Sequence, residues 1–257
     1  MTRDYKYIYG PVSSWRLGRS LGVDPISSER KICNFDCLYC QIGKAKAYTG
    51  RRKIFVPTAD IINEIKRIPP VRLDYITFSG MGEPTLAKNL GLIIRAIRKI
   101  RKEKIAVLTN SSLIYKKDVQ DDLRLADFVA VKLDVSSEAL FKKVNRPKPG
   151  LKFYKILKGI KDFRARFKGK LALQIMLTER NRISARGVAV LTEYIDPDEV
   201  QINTPLRPCG VKPLSRQDIK EIKSYFKDRD IISVYDAKKK KARPVSTEGV
   251  FRRRGEA

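Results

Sequence analysis

Three of the four cysteines in the sequence, Cys33, Cys37 and Cys40, fall within eight positions as Cys-x3-Cys-x2-Cys. Soft thiolates grouped on one short loop suit an iron–sulfur cluster. Three protein ligands for four irons leave one iron open, and an open iron can bind a substrate as well as store an electron. The competing reading is zinc. A closed zinc site takes four ligands, commonly in paired Cys-x2-Cys spacing. The fourth would have to be the distant Cys209 or a carboxylate, because there is no histidine. That absence also removes Ser-His-Asp triads and histidine general bases. A disulfide framework would spread its cysteines along a short secreted chain, which this pattern does not do.

A second unusual stretch, Gly80-Met81-Gly82-Glu83-Pro84-Thr85, follows some forty residues later, after a short apolar run. Glycines allow the backbone to approach a ligand closely, and a carboxylate can pair with an ammonium group. By itself the stretch reads equally as a turn before a helix.

Taken together, the cysteine spacing, the aromatic Tyr39 before the last cysteine and the glycine-rich stretch resemble the radical S-adenosylmethionine (SAM) superfamily. The resemblance implies a 4Fe–4S cluster held by Cys33, Cys37 and Cys40, with SAM on the open iron. It implies that the backbone of Gly80, Gly82 and Pro84 and the Glu83 side chain meet the methionine amino group. Asn110 and Ser111, in LTNSS, and Asp134 and Ser136, in KLDVSS, are then expected to contact the ribose and carboxylate. Tyr39 is expected near the adenine, with Gln174 and Asn203 facing the pocket from later strands. The implied chemistry is one-electron cleavage of the sulfonium to methionine and a 5′-deoxyadenosyl radical, which takes a hydrogen atom from the substrate. A low-potential donor of the ferredoxin or flavodoxin type is the implied partner. Turn formation and helix capping are the alternative roles for the Asn, Asp and Ser residues. Asn145-Arg146-Pro147 reads either as an anion contact or as a helix end. Cys209 reads as a redox-active thiol or an inert one.

Within the superfamily, YGPVSSWRLGRSLGVD, FSGMGEPTL, VLTNSSL, VKLDVSS, VNRP and QINTPLRP resemble a family related to the wyosine-base-synthesising tRNA enzymes, over residues 8–215. This implies RNA, tRNA in particular, as substrate. Those synthases carry further N-terminal cysteines for a second cluster, and no cysteine precedes Cys33 here. Two other functions fit the same motifs: a radical SAM activase or modifier of a protein, and a non-enzymatic Fe–S or zinc module that binds nucleic acid.

The elements that must position these residues alternate between strand-like and helix-like. Apolar runs at 21–26, 75–78, 105–108, 128–133, 171–177, 200–203 and 231–234 read as strands. Segments 61–68, 90–101, 119–125, 154–167, 186–194 and 218–226 read as helices, the second with Leu92, Ile93, Ile97 and Ile100 on its apolar face. Strands that are apolar throughout are covered on both faces, and recurring βα units make a parallel sheet. Six units do not complete an eight-fold barrel. The expected fold is α/β, a partial (β/α)6 TIM-like barrel of the radical SAM type, with a doubly wound sheet as runner-up. Active residues then lie at the carboxyl ends of the strands. The expected domain spans residues 1–235, with an N-terminal extension over about 1–20. Residues 236–257, rich in lysine and arginine, are expected as a flexible basic tail.

The 257 residues carry 55 Lys and Arg against 28 Asp and Glu, a net charge of +27. An excess of one sign attracts polyanions or acidic proteins, although a heavily charged surface also occurs in heat-stable proteins. If RNA is the partner, Arg51, Arg52, Arg146, Arg207 and the lysines at 238–241 are the expected rim of the barrel mouth. No apolar run reaches the roughly 18 residues of a membrane span, and the first residues lack a signal-peptide core. A cytoplasmic enzyme is expected.

Overall fold

The computed structural model describes residues 5–45, 47–226 and 229–254. In chain order the strands are β1 (Ile8–Ser14), β2 (Gly18–Val23), β3 (Ile32–Cys33), β4 (Ala47–Tyr48), β5 (Tyr75–Phe78), β6 (Lys104–Thr109), β7 (Phe128–Lys132), β8 (Lys170–Met176), β9 (Glu199–Asn203) and β10 (Ile231–Ser233). The helices are α1 (Thr58–Lys66), α2 (Leu90–Arg98), α3 (Lys117–Leu123), α4 (Glu138–Val144), α5 (Phe153–Arg164), α6 (Ala185–Ile195), α7 (Arg216–Lys223) and α8 (Thr247–Arg254).

Eight strands form one sheet in the order β1-β2-β5-β6-β7-β8-β9-β10, and β3 pairs with β4 beside the cysteine loop. From β2 onward every neighbouring pair in the large sheet is parallel. The strands follow one another in chain order with no reversal, so the sheet is the open, partial barrel expected, not a doubly wound sheet. Helices cover its outer face because their apolar residues recur at helical spacing. In α2 the buried stripe is Leu90, Ile93, Ile94 and Ile97. Leu92 and Ile100, expected on that face, are 55% and 38% exposed; Leu92 is off the stripe and Ile100 is past the helix end. Arg95 and Arg98 fall in the last turn of α2, where positive charge complements the helix dipole. Ser215 and Asp218 form a capping box at the start of α7. Among the described residues no helix is long and apolar enough to cross a membrane.

Both ends of the chain differ from expectation. Residues 8–14, expected in an extension, form β1, which pairs antiparallel with β2. Residues 236–254, expected as a flexible tail, run along β1. Ala242 N donates to Ser13 Oγ (3.1 Å), Val245 N donates to Gly10 O (2.7 Å), and α8 packs on β1. An exposed strand edge offers unpaired N–H and C=O groups, and the returning chain occupies part of it.

One ion pair ties the amino-terminal ends of β2 and β5 together. Arg19 grips Asp74 with Nε and Nη2 (3.0 and 2.8 Å) and also donates its backbone N–H (2.8 Å). Gly18 has φ +67°, and a Cβ there would lie 2.5 Å from the Asp74 carboxylate. The hydrogen bonds from Arg19 hold Asp74 well below the usual carboxylate range. The stabilisation from this pair is therefore complete above the unfolded pKa of about 3.9 and is lost as pH falls below it. Asp74→Asn is expected to lower stability by about 1 kcal/mol at neutral pH. Urea denaturation of both proteins should show that difference shrinking below about pH 4.

Candidate functional site

Parallel strands place their carboxyl ends, and the loops that follow, at one end of the barrel. The cysteine loop follows β2, the glycine-rich segment β5, Asn110 to Ser112 β6, Asp134 to Ser137 β7, Thr178 to Asn181 β8 and Thr204 to Pro213 β9. Most of the expected site residues are thereby brought to one mouth.

The cysteine loop is clamped from two sides. On one side Ile32 N donates to Met81 O (3.0 Å) and Glu83 N donates to Ile32 O (3.3 Å). A Cβ on Gly82 would lie 1.8 Å from Ile32 O, so only glycine permits this approach. On the other side the segment after α4 pairs with the loop: Leu38 N donates to Val144 O (3.0 Å), Asp36 N to Asn145 O (3.1 Å) and Lys148 N to Asn34 O (2.8 Å). Asn145-Arg146-Pro147 is thus a backbone cradle for the cysteines, a role the sequence did not indicate.

All four cysteines are free thiols. Asn110 Nδ2 donates to Cys33 Sγ (3.4 Å), and Asn145 Nδ2 lies 3.6 Å from Cys37 Sγ as a donor. Burial, aided by Glu83, pushes the Cys33 thiol up to about 12, and burial also raises Cys37. Metal uptake at such thiols would displace protons. The Lys31 ammonium, its side chain 3% exposed, lies beside the loop and donates to Gly43 O (3.1 Å) and Asp36 Oδ1 (3.4 Å). Burial opposes its charge, but the neighbouring Cys40 and Cys33 outweigh that and raise its pKa. Asn34 Nδ2 is buried with no hydrogen-bond partner. Among the described residues no three His, Cys, Asp or Glu side chains converge on a single ion. Soft thiols, amide donors aimed at sulfur, a buried cation and an orphaned N–H fit an anionic iron–sulfur cluster, whose thiolates bind different irons.

Several expected ligand contacts turn inward. Glu83 is 2% exposed. Its Oε1 accepts from Thr85 N (3.1 Å), Thr85 Oγ1 (2.7 Å) and Thr109 Oγ1 (2.6 Å), and its Oε2 accepts from Asn110 N (2.6 Å). Burial raises its pKa despite those bonds. Ser111, fully buried with φ +68°, accepts from Lys132 N (2.7 Å) and braces β6 against β7. Asp134, 2% exposed, accepts from Met176 N (2.7 Å), from Asn145 Nδ2 (2.7 Å) and from the Tyr39 hydroxyl. Tyr39 is 4% exposed, with Lys132 Nζ 4.5 Å from its ring centroid. Ser136 packs on Gly187 of α6, where a Cβ would lie 2.5 Å from its Oγ. Pro84 starts a short 3-10 turn, Gly80 adopts φ +153°, and Asn203 ends β9 at 6% exposure, with Gln174 on β8 at 9%. Asn110 is the one expected polar contact that is half-exposed beside Cys33.

The basic candidates separate. Arg207 stays at the mouth, donating to Gln41 Oε1 on the cysteine loop (3.2 Å). Arg146 is exposed beside the cradle and Arg51 is exposed past β4. Arg52 is not a rim residue: it is half-buried, donating to Thr85 O (2.9 Å) and Ala87 O (3.0 Å) and pairing with Asp118 and Asp122. Of the lysines at 238–241, Lys240 is turned away from the mouth: it pairs with Asp74 (3.2 Å), at the amino-terminal end of the barrel. A groove of about 700 Å³, missed in the sequence, opens beside the cysteine loop and is lined by Glu179, Arg180, Arg207, Cys209 and Lys212. Its only sequence signal was the proline-rich, basic composition of residues 205–213.

The Radical SAM superfamily profile matches residues 31–182. A UPF0026 protein of Synechocystis is 43% identical over 84% of this chain and 81% of its own length. A UPF0026 protein of Methanocaldococcus jannaschii is 34% identical over 86% of this chain and 71% of its own. Among solved structures, TYW1 with a lysine-pyruvate adduct bound has a TM-score of 0.63 at 16% identity, covering 82% of this chain and 74% of that one. The likeness to TYW1 is one of fold, so the relation expected to the wyosine-base enzymes stands at the level of the superfamily. The chain belongs to the radical SAM superfamily and, within it, to the UPF0026 proteins, and is an enzyme that cleaves SAM at a 4Fe–4S cluster.

Proposed function

We propose that Cys33, Cys37 and Cys40 hold three irons of the cluster, that SAM lies against Gly80–Thr85 and Asn110, and that the substrate is an RNA seated in the groove beside the cysteine loop. When bound, the cluster and SAM supply one-electron cleavage of the sulfonium and a 5′-deoxyadenosyl radical, with the electron drawn from a ferredoxin- or flavodoxin-like donor. The protein's part is position and exclusion of water. Asn110 and Asn145 direct N–H groups at the thiolates. Because the Glu83 carboxylate is already bonded inward, the methionine amino group falls to backbone carbonyls of the glycine-rich segment. Asp134 and Tyr39 hold the loop in place from behind.

The observation that carries the RNA reading is the groove. Arg180, Arg207 and Lys212 face one acid, Glu179, and Arg207 is bonded to the cysteine loop itself. A radical acts only at contact distance, so phosphates held there would bring a nucleotide to the mouth.

Three outcomes test these assignments. Anaerobically reconstituted protein should hold about four irons; Cys33→Ala, Cys37→Ala and Cys40→Ala should each lose them, and Cys209→Ala should not. Gly82→Ala should lower iron content as well as SAM affinity, because its Cβ displaces Ile32. Normal iron with lost SAM binding would instead place Gly82 against SAM alone. Binding of tRNA should fall with salt at a log–log slope of about −0.7 per phosphate contact. Arg180→Ala with Lys212→Ala should flatten that slope and leave uncoupled SAM cleavage intact. Equal, weak binding of tRNA and an unrelated RNA of the same length at physiological salt would reject tRNA, leaving a protein substrate as the alternative.

A further inference from the structure

The charge pair between Arg253 and Asp24 has no part in the site described so far, yet both side chains are fully buried, with Arg253 Nε 2.8 Å from Asp24 Oδ2. We infer that Arg253, acting through Asp24, is a positioning residue for the glycine-rich segment, so that the last helix of the chain is a working part of the SAM site. The inference rests on the assignment of Gly80–Thr85 to SAM.

Asp24 is the first residue after β2. Its Oδ1 accepts from Ile26 N (3.1 Å) and Ser27 N (2.9 Å), which shapes the chain toward the cysteines. Its Oδ2 accepts from Met81 N (3.1 Å) as well as from Arg253. Gly80 packs on the same carboxylate: a Cβ there would lie 2.2 Å from Asp24 Cγ. Met81 in turn accepts from Ile32, next to Cys33. A single carboxylate therefore sets the backbone of the glycine-rich segment and the entry to the cysteine loop.

Arg253 fixes that carboxylate from outside the barrel. Its Nη2 donates to Ser27 Oγ (3.0 Å) and to Lys6 O, its Nη1 donates to Gly249 O (3.3 Å), and its guanidinium lies 5.2 Å from the Tyr9 ring centroid. Tyr9 is itself bonded to Ser79 (2.6 Å), one residue before Gly80. The segment that delivers Arg253 crosses the whole barrel edge, from Lys240 at Asp74 to Arg253 at Asp24. A buried ion pair adds little net stability, because desolvation offsets the attraction. Direction is what this pair supplies. Without Arg253, Asp24 is an uncompensated buried charge, which must turn toward water or take up a proton, and either change loosens its hold on Met81 N.

The test uses the full chain, anaerobically reconstituted, as wild type, Arg253→Met, Arg253→Lys and the double variant Arg253→Met with Asp24→Asn. SAM affinity is read from the shift of the reduced-cluster EPR signal, iron content is measured, and amide exchange at Met81 is followed without cluster. Arg253→Met should weaken SAM binding about tenfold or more and speed Met81 exchange by a similar factor, with β7 amides unchanged. Arg253→Lys should fall between wild type and Met. The double variant, which removes the stranded charge, should recover most of the loss. Wild-type SAM affinity in Arg253→Met overturns the inference. So does faster exchange at β7 and Met81 alike, which would mark Arg253 as a general stability contact. If Arg253→Met does not fold, unchanged SAM affinity in Arg253→Lys overturns it. Wild-type protein that takes up iron and does not bind SAM would instead refute the assignment of the SAM site.

Discussion

Everything at the mouth of this barrel depends on one close approach, that of the Ile32 carbonyl to the α-carbon of Gly82. Any side chain at that position would occupy the space of the carbonyl oxygen. With glycine there, Ile32 exchanges backbone hydrogen bonds with Met81 and Glu83, and Cys33 is carried to the end of β5 and β6. The glycine's freedom serves the protein's own cysteine loop at least as directly as it serves a ligand. Glu83, the next residue, then locks the same junction to Thr109 and Asn110 at the end of β6.

The buried charges follow one logic. A carboxylate taken out of water is costly unless its oxygens are bonded. Glu83, Asp134 and Asp24 each meet that demand by collecting donors from several strands or loops at once. Glu64 does so at the other flank, accepting from the backbone N–H groups of Lys6, Tyr7 and Ile8 and so holding the first strand in place. Each of these acids is a junction between segments distant in sequence. Lys31 is the counterpart of opposite sign, a cation kept beside the thiols by Asp36 and a carbonyl.

The large positive charge is less uniform in purpose than its total suggests. Arg19, Arg52 and Arg253 are spent on ion pairs that brace strand ends or the glycine-rich segment. Lys240 faces away from the chemistry. What remains at the mouth is a smaller set, Arg180, Arg207 and Lys212 around a groove, with Arg146 near the cysteine cradle. Net charge therefore indicates a polyanion only through the part of it that shares an end of the barrel with the cysteines.

The sequence by itself determined the chemistry and the frame. The spacing of Cys33, Cys37 and Cys40, the absence of histidine and the Gly80–Thr85 stretch are local patterns, and local patterns survive without tertiary context. The same holds for the alternation of apolar strands and amphipathic helices, whose periods are set by backbone geometry. The tertiary structure decided which polar residues face the mouth and which face inward. Asn, Asp, Ser and Glu at strand ends look alike in sequence, but Glu83, Ser111 and Asp134 are claimed by donors on neighbouring strands, while Asn110 stays half-exposed beside a thiol. It also decided that Asn145 cradles the cysteine loop, that Arg52 is a brace, and that residues 236–254 return along β1 to bury Arg253 against Asp24. Those outcomes depend on contacts between residues far apart in the chain, up to the 229 positions between Asp24 and Arg253, and no local period or composition encodes a partner at that range.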